Sequence, residues 1–227
     1  MGKEGVIFIP MFLYQFILLV FISCIYTQIP GAFSITRIQY GGGGDWYADP
    51  SSIPNLLTYV DQYTNISVNK LEQRSKIGDD LFHRSPYLYI TGHGNVKFTK
   101  EEAFILRDHL LAGGFLHADD NYGMDKSFRR EIKKVFPDKI WVELPPTHEI
   151  FKSHFILNNG LPKVHEHDKK RPQALALFEN ERLIILYTFE SDLGDGWENE
   201  GVHNDSQDIR TAALQMGTNI IVYVLNQ

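Results

Sequence analysis

The sequence predicts an α/β domain on a doubly wound, mostly parallel sheet, and three observations predict it. From residue 33 to residue 135, short apolar runs with strand periodicity alternate with stretches of helical periodicity. The runs at 87–90 and 115–120 are apolar enough to be buried on both faces, as parallel strands are. Helices between successive strands imply right-handed crossovers and therefore parallel pairing.

Residues 33–40 (FSITRIQY) alternate apolar and polar side chains and run into Gly41-Gly42-Gly43-Gly44-Asp45-Trp46, a strand leading to a flexible turn. Ser51 or Ser52 is placed to cap a helix carrying Ile53, Leu56, Leu57 and Val60 and ending near Thr64. A short strand is expected at 66–68. The run 87–90 ends in Thr91-Gly92-His93-Gly94, a buried strand delivering a loop. Thr99 and Glu102 form a capping-box pair opening a helix that Gly113-Gly114 stops. Residues 115–120 (FLHADD) form the next strand, and 125–135 a helix closed by Pro137. Further strands are expected at 140–144 and in a β-hairpin near the C-terminus, 174–178 and 183–189 around Glu179-Asn180-Glu181-Arg182. A helix over 205–225 completes the chain.

With 43% apolar residues in 227, the chain can bury a full core in one domain. The net charge is −6 and the basic clusters are short, Lys133-Lys134 and Lys169-Lys170-Arg171, so the electrostatic footprint of nucleic-acid binding is missing. Residues 6–26 are apolar except for Pro10, Gln15, Ser23 and Cys24, and Lys3 precedes them. That is the pattern of an export signal, and it is also long enough for a retained anchor, which takes about 20 residues. Residues 1–32 are therefore read as signal peptide or membrane anchor, and 33–227 as a single domain outside the cytoplasm, periplasmic or in the cell envelope. Membrane contact is expected only through the N-terminal segment. The single cysteine, Cys24, lies in that segment, so the domain has neither a disulfide framework nor a cysteine nucleophile.

In an open parallel sheet the ligand site lies beyond the carboxyl ends of the strands. Three such ends carry unusual polar residues. Gly43, Gly44, Asp45 and Trp46 follow the first strand; without G-x-G-x-x-G spacing the glycines read more simply as a turn than as an anion cradle. Gly92, His93 and Gly94 follow a central strand, where His93 is either an acid–base group or a local cap. His117 and Asp119 share one face of the next strand, and Asp120 begins the turn. Adjacent carboxylates repel unless a cation, a proton or N–H donors offset them, although aspartate is also favoured in turns and caps.

The last third adds His148, then His165-Glu166-His167-Asp168, then residues 190–198 with Asp192 and Trp197, and His203. Imidazole and carboxylate donors suit a divalent metal such as zinc, yet no stretch has H-E-x-x-H spacing, and scattered loop histidines are commonly solvated. Trp46 and Trp197 could stack on a sugar ring or cover the domain edge.

The segments YGGGGDWYADPSSIPNLL, YLYITGHGNVKFTKEEAFILRDHLLAGGFLHADDNYGMD, VFPDKIWVELPPTHEIF, GLPKVHEHDKKRP and FESDLGDGWENEGVHND together resemble a bacterial member of the domain of unknown function 4159 family over nearly all of 33–227. That resemblance implies a flavodoxin-like sheet of the class I glutamine-amidotransferase-like superfamily, which includes trehalose-utilisation-type proteins. The matching positions are Gly92, His93, Gly94, His117, Asp119, Asp120, His148, Asp192, Trp197 and His203. Where amidotransferases carry the nucleophilic cysteine, this chain has residues 113–120 (GGFLHADD) with none.

The expectation is a catalytic set of His93, His117, Asp119 and Asp120 acting by hydrolysis or acid–base chemistry on a small polar or sugar-derived ligand. The alternative is a non-catalytic ligand-binding or envelope-assembly module.

Overall fold

Strand β1 (Thr36–Ile38) is buried along its length and has parallel partners on both sides, β2 (Gln73–Ser75) and β3 (Tyr87–Ile90). β3 pairs in parallel with β4 (Phe115–Asp119), and β4 with β7 (Arg182–Phe189). β7 is antiparallel to β6 (Gln173–Glu179), which pairs antiparallel with the two-residue β5 (Val142–Glu143). The result is a mixed α/β architecture whose seven-stranded, mostly parallel sheet has the order β2-β1-β3-β4-β7-β6-β5. The computed structural model describes residues 31–167 and 169–227. The expected signal or anchor over 1–32 therefore lies almost wholly outside the described residues, as does Asp168.

Six helices accompany the sheet among the described residues: α1 (Ser52–Tyr63), α2 (Asp80–Arg84), α3 (Lys100–Leu111), α4 (Asp125–Val135), α5 (Leu193–Trp197) and α6 (Gln207–Leu225), with a 3-10 turn at Glu149–Phe151. None is long and apolar enough to cross a membrane. Strand alternation divides the core in two. On one face Tyr87, Tyr89 and Phe115 meet Leu56 and Val60 of α1, Trp197 of α5 and Met216 and Ile220 of α6. On the other, Leu88, Ile90 and Leu116 meet Phe82 of α2, Leu106 and Leu110 of α3 and Phe128 and Ile132 of α4. Each such side chain contributes roughly 1.5–3 kcal/mol when fully buried.

Strands 87–90 and helix 125–135 lie where periodicity places them. The Thr99–Glu102 capping box is present, with Glu102 N–H donating to Thr99 Oγ1 and Thr99 N–H to the Glu102 carboxylate. Several expectations need correction. The strand expected at 66–68 is reduced to a bridge between Phe33 and Val68, and the second strand is instead the polar segment Gln73–Ser75, whose edge position needs little apolar content. Neither serine caps α1: Ser51 sits in helical geometry without a side-chain cap bond, because its Oγ accepts from Asn199 N–H while its own N–H donates to Glu198. Helix α6 starts at Gln207, capped by Ser206, because Asp205 is drawn to His165 instead. The short helices α2 and α5 have too few residues to show periodicity.

β1, β3, β4 and β7 run in the same direction, so the loops that follow them emerge along one edge. Arg37 of β1, fully buried, organises part of it: its guanidinium donates to the carbonyls of Trp46, Ala48 and Asp49 and to Glu72. That holds the loop delivering Asp49 to the edge.

Candidate metal centre

The centre rests on a chain of buried hydrogen bonds across β3, β4 and β7. Burial drives the His117 pKa down to about 3, so the ring is neutral. Tyr87 Oη lies 3.4 Å from Nδ1, and Thr188 Oγ1 lies 3.1 Å from Nε2. The Thr188 hydroxyl donates to Asp119 at 2.5 Å, so it accepts from His117 Nε2–H, and the Tyr87 hydroxyl donates to Nδ1. Asp119 also accepts the backbone N–H groups of Leu193 and Gly194 at 3.3 and 2.6 Å. Asp119 thus fixes the start of α5, the turn that carries Asp192 and Asp195. A Cβ on Gly194 would lie 2.9 Å from an Asp49 oxygen and from the Tyr89 hydroxyl, so only glycine lets the three strand-end loops close together here.

Above that support, three histidines and several aspartates converge. The 162–167 segment is fastened to the loop after β7 by Val164 N–H on the Ser191 carbonyl and by Ser191 Oγ on the Pro162 carbonyl. His165 is held on both sides: Nδ1 lies 2.8 Å from Asp195 Oδ2 and 4.0 Å from Asp192 Oδ2, while Nε2 lies 3.0 Å from Asp205 Oδ1. His203 Nδ1 is 3.6 Å from the same Asp195 oxygen, and His167 Nε2 contacts Asp192 Oδ2. The donor atoms form two triads, His165–Asp195–His203 and His165–His167–Asp192, each with all its atoms within 4.8 Å of one another. Asn121 bridges beneath them, donating to Asp49 and to Asp195 and accepting from Thr91.

The carboxyls here exceed the donors that could satisfy them. Asp192 Oδ1, Asp205 Oδ2 and Asp120 Oδ1 are buried with no hydrogen-bond partner. Burial, then the Asp119 and Asp195 charges, push Asp192 up to about 9, and burial with the Asp195 charge pushes Asp49 up to about 8. Burial, helped by the Asp195 charge, outweighs its donors at Asp119, which rises to about 7. Asp195 is the exception: burial opposes its charge, but the His165 bond and the His203 charge hold it below the usual carboxylate range. His165 is correspondingly raised to about 9, chiefly by its bond to Asp195. Buried carboxylates that share too few protons and N–H donors are the electrostatic demand a cation meets. His165 also has the arrangement of a metal-bound histidine, one nitrogen facing acidic donors and the other on a carboxylate.

The expected catalytic set is dispersed. His117 and Asp119 lie in the interior, fully buried, as support rather than contact surface. Asp120 is buried near Tyr187, with burial raising it to about 6. His93 is exposed, its backbone N–H and Nδ1 on the Asp45 carboxylate at 2.5 and 3.0 Å rather than on His117 or the other aspartates.

Among the expected ligand-binding residues, Asp192 and His203 are in the centre. Gly43 is exposed and Gly44 lies against the Tyr40 ring, in a turn whose Gly42 carbonyl accepts from Asn95 Nδ2. Gly94 and Gly92 shape the adjacent loop; a Cβ on Gly92 would lie 2.5 Å from the Tyr40 hydroxyl. Trp46 is half-buried under the Arg74 guanidinium. Trp197 is a core residue, its indole N–H on the Ala213 carbonyl. His148 is a helix cap, its Nδ1 accepting from Ile150 N–H. His165, His167 and Asp195 fall in the segments whose residue types suited a metal but were given no role, and Asp205, Asp49 and Asn121 lie outside the expected set.

The His/Asp cluster lies at the carboxyl edge of a mixed α/β domain with a seven-stranded, mostly parallel sheet. The chain belongs to the family described as domain of unknown function (DUF4159), which matches residues 34–225. No curated protein matches it.

Proposed function

We propose that this chain is an exported, metal-dependent hydrolase-like domain acting on a small polar, sugar-derived ligand. The observation that carries the reading is His165, gripped between Asp195 and Asp205, with His203 on the same Asp195 oxygen. His165 Nδ1, Asp195 and His203 Nδ1 supply three protein donors to one ion, the ligand number that leaves a position for water in catalytic sites. Zinc held by these residues would supply a water with a pKa near 7 instead of about 16, a nucleophile at neutral pH. Asp205 sets the His165 tautomer, and Asn121 with Asp119 holds the Asp195 turn. Tyr122 is 47% exposed and stacked on His167 at 4.6 Å, an aromatic face at the rim that suits a sugar ring.

The order β2-β1-β3-β4-β7 of like-directed strands supports a flavodoxin-like relationship and, with the family resemblance, an amidotransferase-like ancestry. Replacement of the nucleophilic thiol by a metal-bound water agrees with residues 113–120 having no cysteine. Export is supported by the apolar run 6–26 behind Lys3.

The test is turnover of chromogenic esters, phosphate esters and glycosides by the full-length chain, metal-loaded or chelator-treated. Metal-dependent turnover that is lost in Asp195→Asn is the expected result. Metal binding without turnover would make the domain a ligand-binding module, and absence of metal binding would remove the reading.

A further inference from the structure

The two triads share His165, but its Nδ1 has one lone pair and its Nε2 is already on Asp205. At 2.8 Å from Asp195 and 4.0 Å from Asp192, His165 is committed to Asp195 and His203. Protein donors bind such an ion at about 2.0–2.3 Å, so all donors to one ion fall within about 4.5 Å of each other. His167 and Asp192 are therefore left as a second grouping beside the first. That grouping has its own unsatisfied donor: Asp192 is fully buried, with Oδ2 on His167 and Oδ1 on nothing. Asp192 Oδ2 stands between the two groupings, on His167 and 4.0 Å from His165 Nδ1, the place of a carboxylate shared in two-metal sites, whose ions stand about 3.5–4 Å apart.

We propose that the centre is dinuclear, with a second divalent cation held by His167 Nε2 and Asp192 beside the first. This deepens the metal-dependent reading and rests on it. When bound, the ion at His165, Asp195 and His203 would supply an activated water, and the one at His167 and Asp192 a position for an oxygen of the ligand. The substrate class narrows to an ester or phosphate ester of a polar ligand, whose attacking and leaving oxygens two ions can hold together.

The experiment is titration of the full-length chain with Zn²⁺ after chelator treatment, read by calorimetry and by elemental analysis of the saturated protein. The proposal expects two equivalents in the unaltered chain and one in His167→Gln, with the metal-free melting temperature of the variant unchanged. Asp192→Asn, which keeps the side-chain shape, should bind at most one equivalent. Loading with Mn²⁺ should give the exchange-coupled electron paramagnetic resonance spectrum of a pair, lost in His167→Gln. One equivalent in the unaltered chain overturns the second ion and leaves the first. No binding overturns both, and two equivalents persisting in His167→Gln overturns the placement.

Discussion

Two polar clusters share the carboxyl edge of this sheet and differ in whether their charges are settled. At the ends of β1 and β3, the Asp45 carboxylate accepts from both His93 N–H and His93 Nδ1, and Tyr40 donates to the Thr91 carbonyl. Donors match acceptors there, in a half-exposed joint between two loops. At the end of β7, Asp49, Asp119, Asp192 and Asp195 are buried close together, and an Asp192 oxygen and an Asp205 oxygen are left without partners. The lesson is that a histidine beside an aspartate is a finished contact when local donors suffice. It points to a ligand when buried carboxylates outnumber them.

The largest expected effect comes from removing the histidine that faces both Asp195 and Asp205. His165→Ala should weaken Zn²⁺ binding by more than about 100-fold, since even outer-shell partners cost about 10–100-fold, and calorimetry on the full-length chain checks it. Next is Asp119→Ala, which strands two α5 N–H groups and the Thr188 hydroxyl; denaturant unfolding should show a loss of at least about 3 kcal/mol. Asp205→Asn, which alters only the far side of His165, should cost about 10–100-fold in metal affinity with little change in stability.

The pH dependence is smaller and has a definite sign. Asp49, Asp119, Asp192 and His165 all have folded pKa values above their ordinary ones. Each binds its proton more tightly folded than unfolded, so its contribution is complete below its unfolded pKa. That contribution is lost as pH rises through the folded value, up to about 9 for Asp192 and His165. Buried neutral His117 works the other way, but only below its unfolded pKa of about 6.5, so the metal-free chain should melt at progressively lower temperature from about pH 6.5 to about pH 9, and Zn²⁺ should flatten the decline by standing in for those protons. A melting temperature that climbs with pH over this range would break the electrostatic account. Smallest is His93→Ala, an exposed change expected to leave stability within about 0.5 kcal/mol and metal affinity unaltered.

Much of the fold was legible because periodicity survives where a segment is long and faces a core, as in β3, α3 and α4. It failed at β2, where three polar residues complete an edge, and at α5, five residues whose shape is set by Asp119 seventy positions away in the chain. The site was legible in kind but not in membership. His117-Ala118-Asp119-Asp120 drew attention as a strand-end cluster, yet strand alternation turned His117 into the core. The usable signals were quieter. His165-Glu166-His167 puts two imidazoles on one side of an extended segment, and Asp192 and Asp195 are one helical turn apart. Joining them required knowing that the 162–167 segment returns to β7, which no local pattern encodes.

The most direct test of the cation centre is anomalous diffraction at the zinc edge from crystals of the chain grown with Zn²⁺. The account predicts a peak within about 2.3 Å of His165 Nδ1, Asp195 and His203 Nδ1. A peak at His93 and Asp45 instead, or none at the end of β7, would contradict it.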